Sequence, residues 1–78
     1  MGNNRQVDTK DWIAFLKAHG CVYKRTKASH SHYKCPGCFR TITFRENEKQ
    51  IPPLHLQTNL RTLGKTLKDL YDWLENTK

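Results

Sequence analysis

From Thr9 to His19 the apolar positions recur at three- and four-residue steps. Trp12, Ile13, Phe15, Leu16 and His19 make one stripe along an amphipathic helix. Asp8 or Thr9 is placed to cap its first turn, Lys17 and His19 suit its C-terminal end, and Gly20 is placed to close it in a left-handed turn. After Gly20 the period becomes two. The run CVYKRTK, rich in β-branched and aromatic residues, reads as a strand; SHSHYKC follows after a turn near Ala28, and FRTITFRE follows the Pro36-Gly37 turn. In the second strand Ser29, Ser31, Tyr33 and Cys35 share one face, while His30, His32 and Lys34 share the other. Tyr33 is the one large hydrophobe there, so its side faces the core and the histidines lie on the open side. Ile42 and Phe44 supply the matching core face of the third strand.

The proline-bearing segment NEKQIPPLHLQ predicts an irregular connection. A long helix follows, its core stripe made by Leu60, Leu63, Leu67, Leu70 and Leu74, with Thr58 or Asn59 as its cap and Gly64 as a weak interior point that permits a bend. The order helix, three antiparallel strands, helix predicts an α+β fold. It is an α-β-β-β-α two-layer sandwich with both helices on one face of a three-stranded antiparallel sheet and the second face open. Double-stranded-RNA-binding modules share this architecture, which is a likeness of fold alone. Residues 1–78 read as a single domain with a frayed polar tail over 1–6.

Size adds a constraint. A 78-residue chain buries only roughly 60% of its unfolded surface, so a metal, a disulfide or a partner is worth seeking as a staple. The longest apolar run, Trp12 to Leu16, is far too short to span a bilayer. The polar N-terminus is unlike a signal peptide, and the expected location is the cytoplasm. Three cysteines cannot pair completely, and without a secretion signal free thiols or a metal site are expected ahead of a disulfide framework.

Charge then changes the picture most. Fourteen Lys and Arg face seven acids, for a formal net charge of +7. Between Lys24 and Arg45 lie Lys24, Arg25, Lys27, Lys34, Arg40 and Arg45 without a single acid. A positive middle between near-neutral flanks is the footprint of a phosphate-binding surface, or, more plainly, of a solvated basic sheet.

Two chemistries compete within this segment. Cys35-Pro36-Gly37-Cys38 has the spacing of a zinc knuckle, but a structural zinc needs four ligands and no second such pair exists. Cys21, His19, His30, His32 and His55 would have to complete the set, and Cys21 and Cys35 fall on neighbouring strands; the ordinary reading is a Pro-Gly turn with incidental cysteines. The other chemistry belongs to His30. An imidazole among phosphate-binding cations can take a proton from a ribose 2′-hydroxyl or give one to the departing oxygen. RNA thus supplies its own nucleophile, and Lys and Arg would neutralise charge building on the phosphate. Taken alone, any one histidine is more simply a polar surface residue. His32 is the spare candidate on the same face, His19 reads as a helix-end residue and His55 as a loop residue.

The residues GCVYKRTKASHSHYKCPG, a following strand, and NLRTLGKTL resemble the HicA-type toxins, small mRNA interferases of toxin–antitoxin pairs. Gly20, Arg25, Ser29, His30, Tyr33, Lys34, Pro36, Gly37, Leu60 and Arg61 fall in the order of that family, over about Thr9 to Lys68. The sequence departs from the pattern where Ala28 replaces the usual Gly before Ser-His, where Cys21 replaces an aromatic, in the Pro52-Pro53 connection and in a longer C-terminal helix. The resemblance implies a dsRNA-binding-like fold, cofactor-free endonuclease action on mRNA and neutralisation by a HicB-type antitoxin. It implies His30 as the catalytic residue, with Ser29 and the neighbouring cations in support. The expected RNA-binding set is Lys24, Arg25, Lys27, Ser29, His32, Lys34 and Arg40, with no metal ligand assigned. A non-catalytic RNA-binding module, zinc-stapled or not, is the alternative.

Overall fold

The computed structural model describes residues 5–77. Of the expected frayed tail, residues 1–4 lie outside the described residues, whereas Arg5 and Gln6 are held. The Arg5 amide donates to Tyr71 Oη at 2.8 Å, the Tyr71 hydroxyl donates back to the Arg5 carbonyl at 2.7 Å, and the guanidinium lies 4.2 Å from the Tyr71 ring centroid. Gln6 bonds the side chain of Gln50. Val7–Asp8 (β1) then pairs with Gln50–Ile51 (β5) in a short antiparallel ladder that two-residue strands left invisible in the sequence.

Helix α1 spans Thr9–Ala18 and buries Trp12, Phe15 and Leu16 of the expected stripe together with Thr9, while Ile13 and His19 are half-buried. Asp8 occupies the cap position without making a cap bond; its carboxylate accepts from Gln50 Nε2 at 2.9 Å instead. At the other end His19 Nδ1 donates to the Phe15 carbonyl at 2.8 Å, and Gly20 turns the chain at φ 81°. A Cβ at Gly20 would lie 3.3 Å from the Pro36 ring, so the helix exit and the Pro36-Gly37 turn pack where only glycine fits comfortably.

The expected three-stranded antiparallel sheet is present: β2 (Val22–Lys27), β3 (His30–Lys34) and β4 (Ile42–Arg45), in the order β2-β3-β4. Tyr33, Ile42 and Phe44 are buried on its inner face, and Phe44 meets Trp12 edge-on at 6.2 Å. The third strand starts later than expected, at Ile42, leaving Phe39 fully exposed in the connection. Between Tyr23 and Arg25 the β2–β3 register shifts by a bulge at Lys24. Simple alternation would put Tyr23, Arg25 and Lys27 on one face. The extra residue lets Tyr23 pair with inward Tyr33 while Arg25 and Lys27 stand opposite outward-facing His32 and His30.

The expected single long C-terminal helix is two helices. Pro53 sits in the first turn of α2 (Pro53–Leu63), where its missing N–H and fixed φ suit a helix start rather than a loop. Gly64, left-handed at φ 73°, ends α2 outright instead of bending it. Thr66 opens α3 (Leu67–Thr77) in a reciprocal cap: its amide donates to Asp69 Oδ2 at 2.9 Å and its hydroxyl accepts from the Asp69 amide at 3.2 Å. Neither Thr58 nor Asn59 caps a helix. Asn59 lies within α2 and pairs with the outer edge of β4, its Nδ2 donating to the Thr43 carbonyl at 2.9 Å and its Oδ1 accepting from the Thr43 amide at 3.3 Å. The leucine stripe keeps its purpose across the break, with Leu60, Leu67, Leu70 and Leu74 buried.

Trp12 is fully buried, and its indole N–H has no hydrogen-bond partner. Leaving that donor unpaired costs about 1–3 kcal/mol, whereas burying a ring of this size contributes roughly 4–6 kcal/mol, so packing wins. The cysteine expectation is corrected here. Cys21 and Cys35, at the open ends of β2 and β3, form a disulfide with Cα atoms 4.1 Å apart, and Cys38 alone is free. Their nearness across the strands was legible; their oxidation was not.

Candidate nucleic-acid interface and histidine groove

The hairpin joining β2 to β3 turns on Ala28 and Ser29, both left-handed at φ 51° and 69°. Two successive positive φ values match the right-handed twist of a two-residue hairpin, but cost an alanine about 1–2 kcal/mol relative to glycine's freedom. The Ala28 carbonyl accepts a hydrogen bond from His30 Nδ1 at 3.0 Å. Because a carbonyl only accepts, that nitrogen carries the proton, and the neutral ring presents an unprotonated Nε2. His30 is half-buried, with Lys27 and Arg45 as its direct cross-strand neighbours.

The next row of the sheet places His32 between Arg25 and Thr43, with His32 Nδ1 3.2 Å from Thr43 Oγ1. Lys34 stands opposite Val22, and its ammonium donates to the Cys38 carbonyl at 2.6 Å. Lys24 is exposed at the bulge and Ser29 is exposed in the turn. The fold therefore gathers Arg25, Lys27, His30 and His32 on one face. Arg40 is elsewhere, in a groove with Phe39, Thr58, Arg61 and Thr62.

His30, Arg45 and His55 line two overlapping open grooves. One, of about 530 Å³, runs past Glu48, Gln50 and Pro52; the other, of about 340 Å³, runs over Phe44, Thr58 and Asn59. Thr58 also lines the Arg40 groove, so that groove and the second histidine groove both border this residue of α2. Reading the Pro52-Pro53 segment as a loop hid His55. With Pro53 opening the helix, His55 falls in the first turn, facing the groove. Arg45 lines the histidine grooves, and Phe39 and Arg61 the Arg40 groove, without having been singled out as site residues.

The acids around this surface are occupied. Ser31, fully buried, donates to Glu46 Oε1 at 2.5 Å and lies 3.2 Å from Thr26 Oγ1; Glu48 is 3.9 Å from Arg45 in an exposed pair. Burial, and then the charge of Glu46, push the Tyr33 phenol above its ordinary range. The zinc arrangement weighed from the sequence loses two thiolates to the Cys21–Cys35 bond, and Cys38 Sγ donates to the Thr62 carbonyl at 3.4 Å. Among the described residues no three His, Cys, Asp or Glu side chains are arranged to hold a metal ion, and no helix is long and apolar enough to cross a membrane.

Compared with known proteins, the chain matches no family model, no curated protein and no solved structure.

Proposed function

We propose that the protein is an endoribonuclease acting on mRNA in the cytoplasm as the toxin of a toxin–antitoxin pair, with His30 as its general base. The observation that carries this reading is the setting of His30: Nδ1 tied to a main-chain carbonyl, Nε2 free, and cations directly across both neighbouring strands. The HicA-like residue order supports the same assignment. RNA entering the groove has its phosphates held by Lys27 and Arg45, with Arg25 and Arg40 extending the contact. His30 Nε2 then removes the 2′-hydroxyl proton, and the 2′-oxygen attacks the adjacent phosphorus. Lys27 and Arg45 stabilise charge that builds on the phosphoryl oxygens. The 5′-oxygen leaves, and a 2′,3′-cyclic phosphate remains. Phe39, fully exposed in the same groove as Arg40, offers a face on which a base stacks. A HicB-type antitoxin would silence the toxin by covering this basic surface with acidic side chains.

The test is cleavage of a labelled mRNA by wild type and His30→Ala in the presence of a chelator. Wild type is expected to yield cyclic-phosphate ends, and the variant to lose about 10²–10⁴-fold in rate with an unchanged circular-dichroism spectrum. Equal rates would remove His30 from the mechanism; RNA bound but never cut by wild type would make the protein a binding module.

A further inference from the structure

Resting on the ribonuclease reading, we infer that His55 is the second catalytic group, the general acid that protonates the leaving 5′-oxygen. His30 alone leaves the reaction half equipped: a base can open it, but a departing alkoxide needs a proton to leave readily. The fold supplies a second imidazole in the same place. His55 projects from the first turn of α2 into both grooves that His30 and Arg45 line. Its ring is exposed and, among the described residues, has no hydrogen bond or ion pair. His30 has one nitrogen committed to the turn, whereas both nitrogens of His55 are open to a substrate. The two side chains come from different layers, one from the sheet and one from the helix, and Arg45 lines the same grooves. A phosphate held by Arg45 would therefore have an imidazole from each layer available to its reacting oxygens.

The step balances. The 2′-hydroxyl proton passes to His30 Nε2 as the 2′-oxygen bonds to phosphorus. The bond from phosphorus to the 5′-oxygen breaks, and its electron pair takes a proton from the His55 imidazolium. The products are a 2′,3′-cyclic phosphate and a free 5′-hydroxyl, with His30 protonated and His55 neutral. Deprotonated His30 and protonated His55 are required together, which gives a bell-shaped dependence of rate on pH. The titratable and charged groups around His55 are His30 from β3, Arg45 from β4 and Glu48 from the following turn.

The experiment first maps a wild-type cleavage site on RNA. An oligonucleotide is then prepared with sulfur replacing the 5′-bridging oxygen at that site, because a thiolate leaves without a proton. His55→Ala is expected to cut ordinary RNA about 10²–10⁴-fold more slowly than wild type, to lose the alkaline fall of the pH profile, and to regain near-wild-type rates on the sulfur linkage. His30→Ala should stay slow on both. His55→Gln, which keeps a polar side chain of similar size at an exposed position, should follow His55→Ala. If His55→Ala cuts ordinary RNA at the wild-type rate, or is not rescued by sulfur, the acid assignment falls while that of His30 stands. Wild-type protein that leaves RNA intact would overturn both.

Discussion

Ala28 is a residue whose backbone conformation works against its side chain. It holds φ 51° beside Ser29 at φ 69°, a pair of left-handed residues for which glycine or asparagine is the ordinary choice. Ala28→Gly is therefore expected to raise stability by about 0.5–1 kcal/mol, the relief of strain being offset in part by the greater freedom of glycine in the unfolded chain. Urea denaturation measures this, and an unchanged or lowered midpoint would show that the turn bears no such strain. Residue identity foretold part of this: the departure from the usual Gly before Ser-His marked the position without deciding between a strained turn and a differently built one, and the alternation in β3 put Tyr33 inside and His30 outside. It could not reveal that Cys21 and Cys35 are oxidised, because thiols and a disulfide have the same sequence.

At the scale of elements, a single inserted position decides which residues of β2 share a face with the histidines. Deleting Lys24 should close the bulge into a regular ladder in which Tyr23 still meets Tyr33 and Arg25 and Lys27 still stand opposite His32 and His30. The expected outcome is stability close to wild type and an RNA affinity lowered by no more than the loss of one cation, read by thermal melting and binding on the same protein; a large loss of either would contradict the bulge. Asn59 poses a similar test. It satisfies both outer main-chain groups of Thr43, and Asn59→Ala is expected to destabilise the fold by about 1–3 kcal/mol. The cap of α3 responds to acid. Hydrogen bonds from the Thr66 amide and hydroxyl environment hold the Asp69 carboxyl below its ordinary value of 3.8. A lowered folded-state value means that its contribution is complete above the unfolded value and is lost as pH falls through the folded one. Far-UV circular dichroism below pH ~4 should thus show fraying of α3 that Asp69→Asn already displays at neutral pH. The C-terminal leucine pattern ran through Gly64 without interruption, which is why one helix was expected. Periodicity reports which side faces the core and is silent on whether the backbone between two turns is continuous.

For the molecule as a whole, the disulfide is the staple that so small a core calls for. It closes a segment of sequence separation 14, worth about 3 kcal/mol in reduced freedom of the unfolded chain. Reductant, or Cys21→Ser with Cys35→Ser, should lower stability by about that amount in denaturant titrations; a reducing cytoplasm would place the protein in this less stable form. On the proposed reading RNA affinity should fall steeply with salt, since the basic face and the grooves along α2 would act through phosphates. Fold class and the face carrying His30 were legible because they follow from period and charge. The groove was not, since it forms only where sheet and α2 meet, 25 positions apart in sequence between His30 and His55. One consequence follows from the bond that orients His30. Its acceptor is a peptide oxygen, which no replacement of a side chain removes. Scanning the chain with alanine will pass over the group that aims the imidazole, and only a lengthened or shortened hairpin loop will set the ring free to rotate.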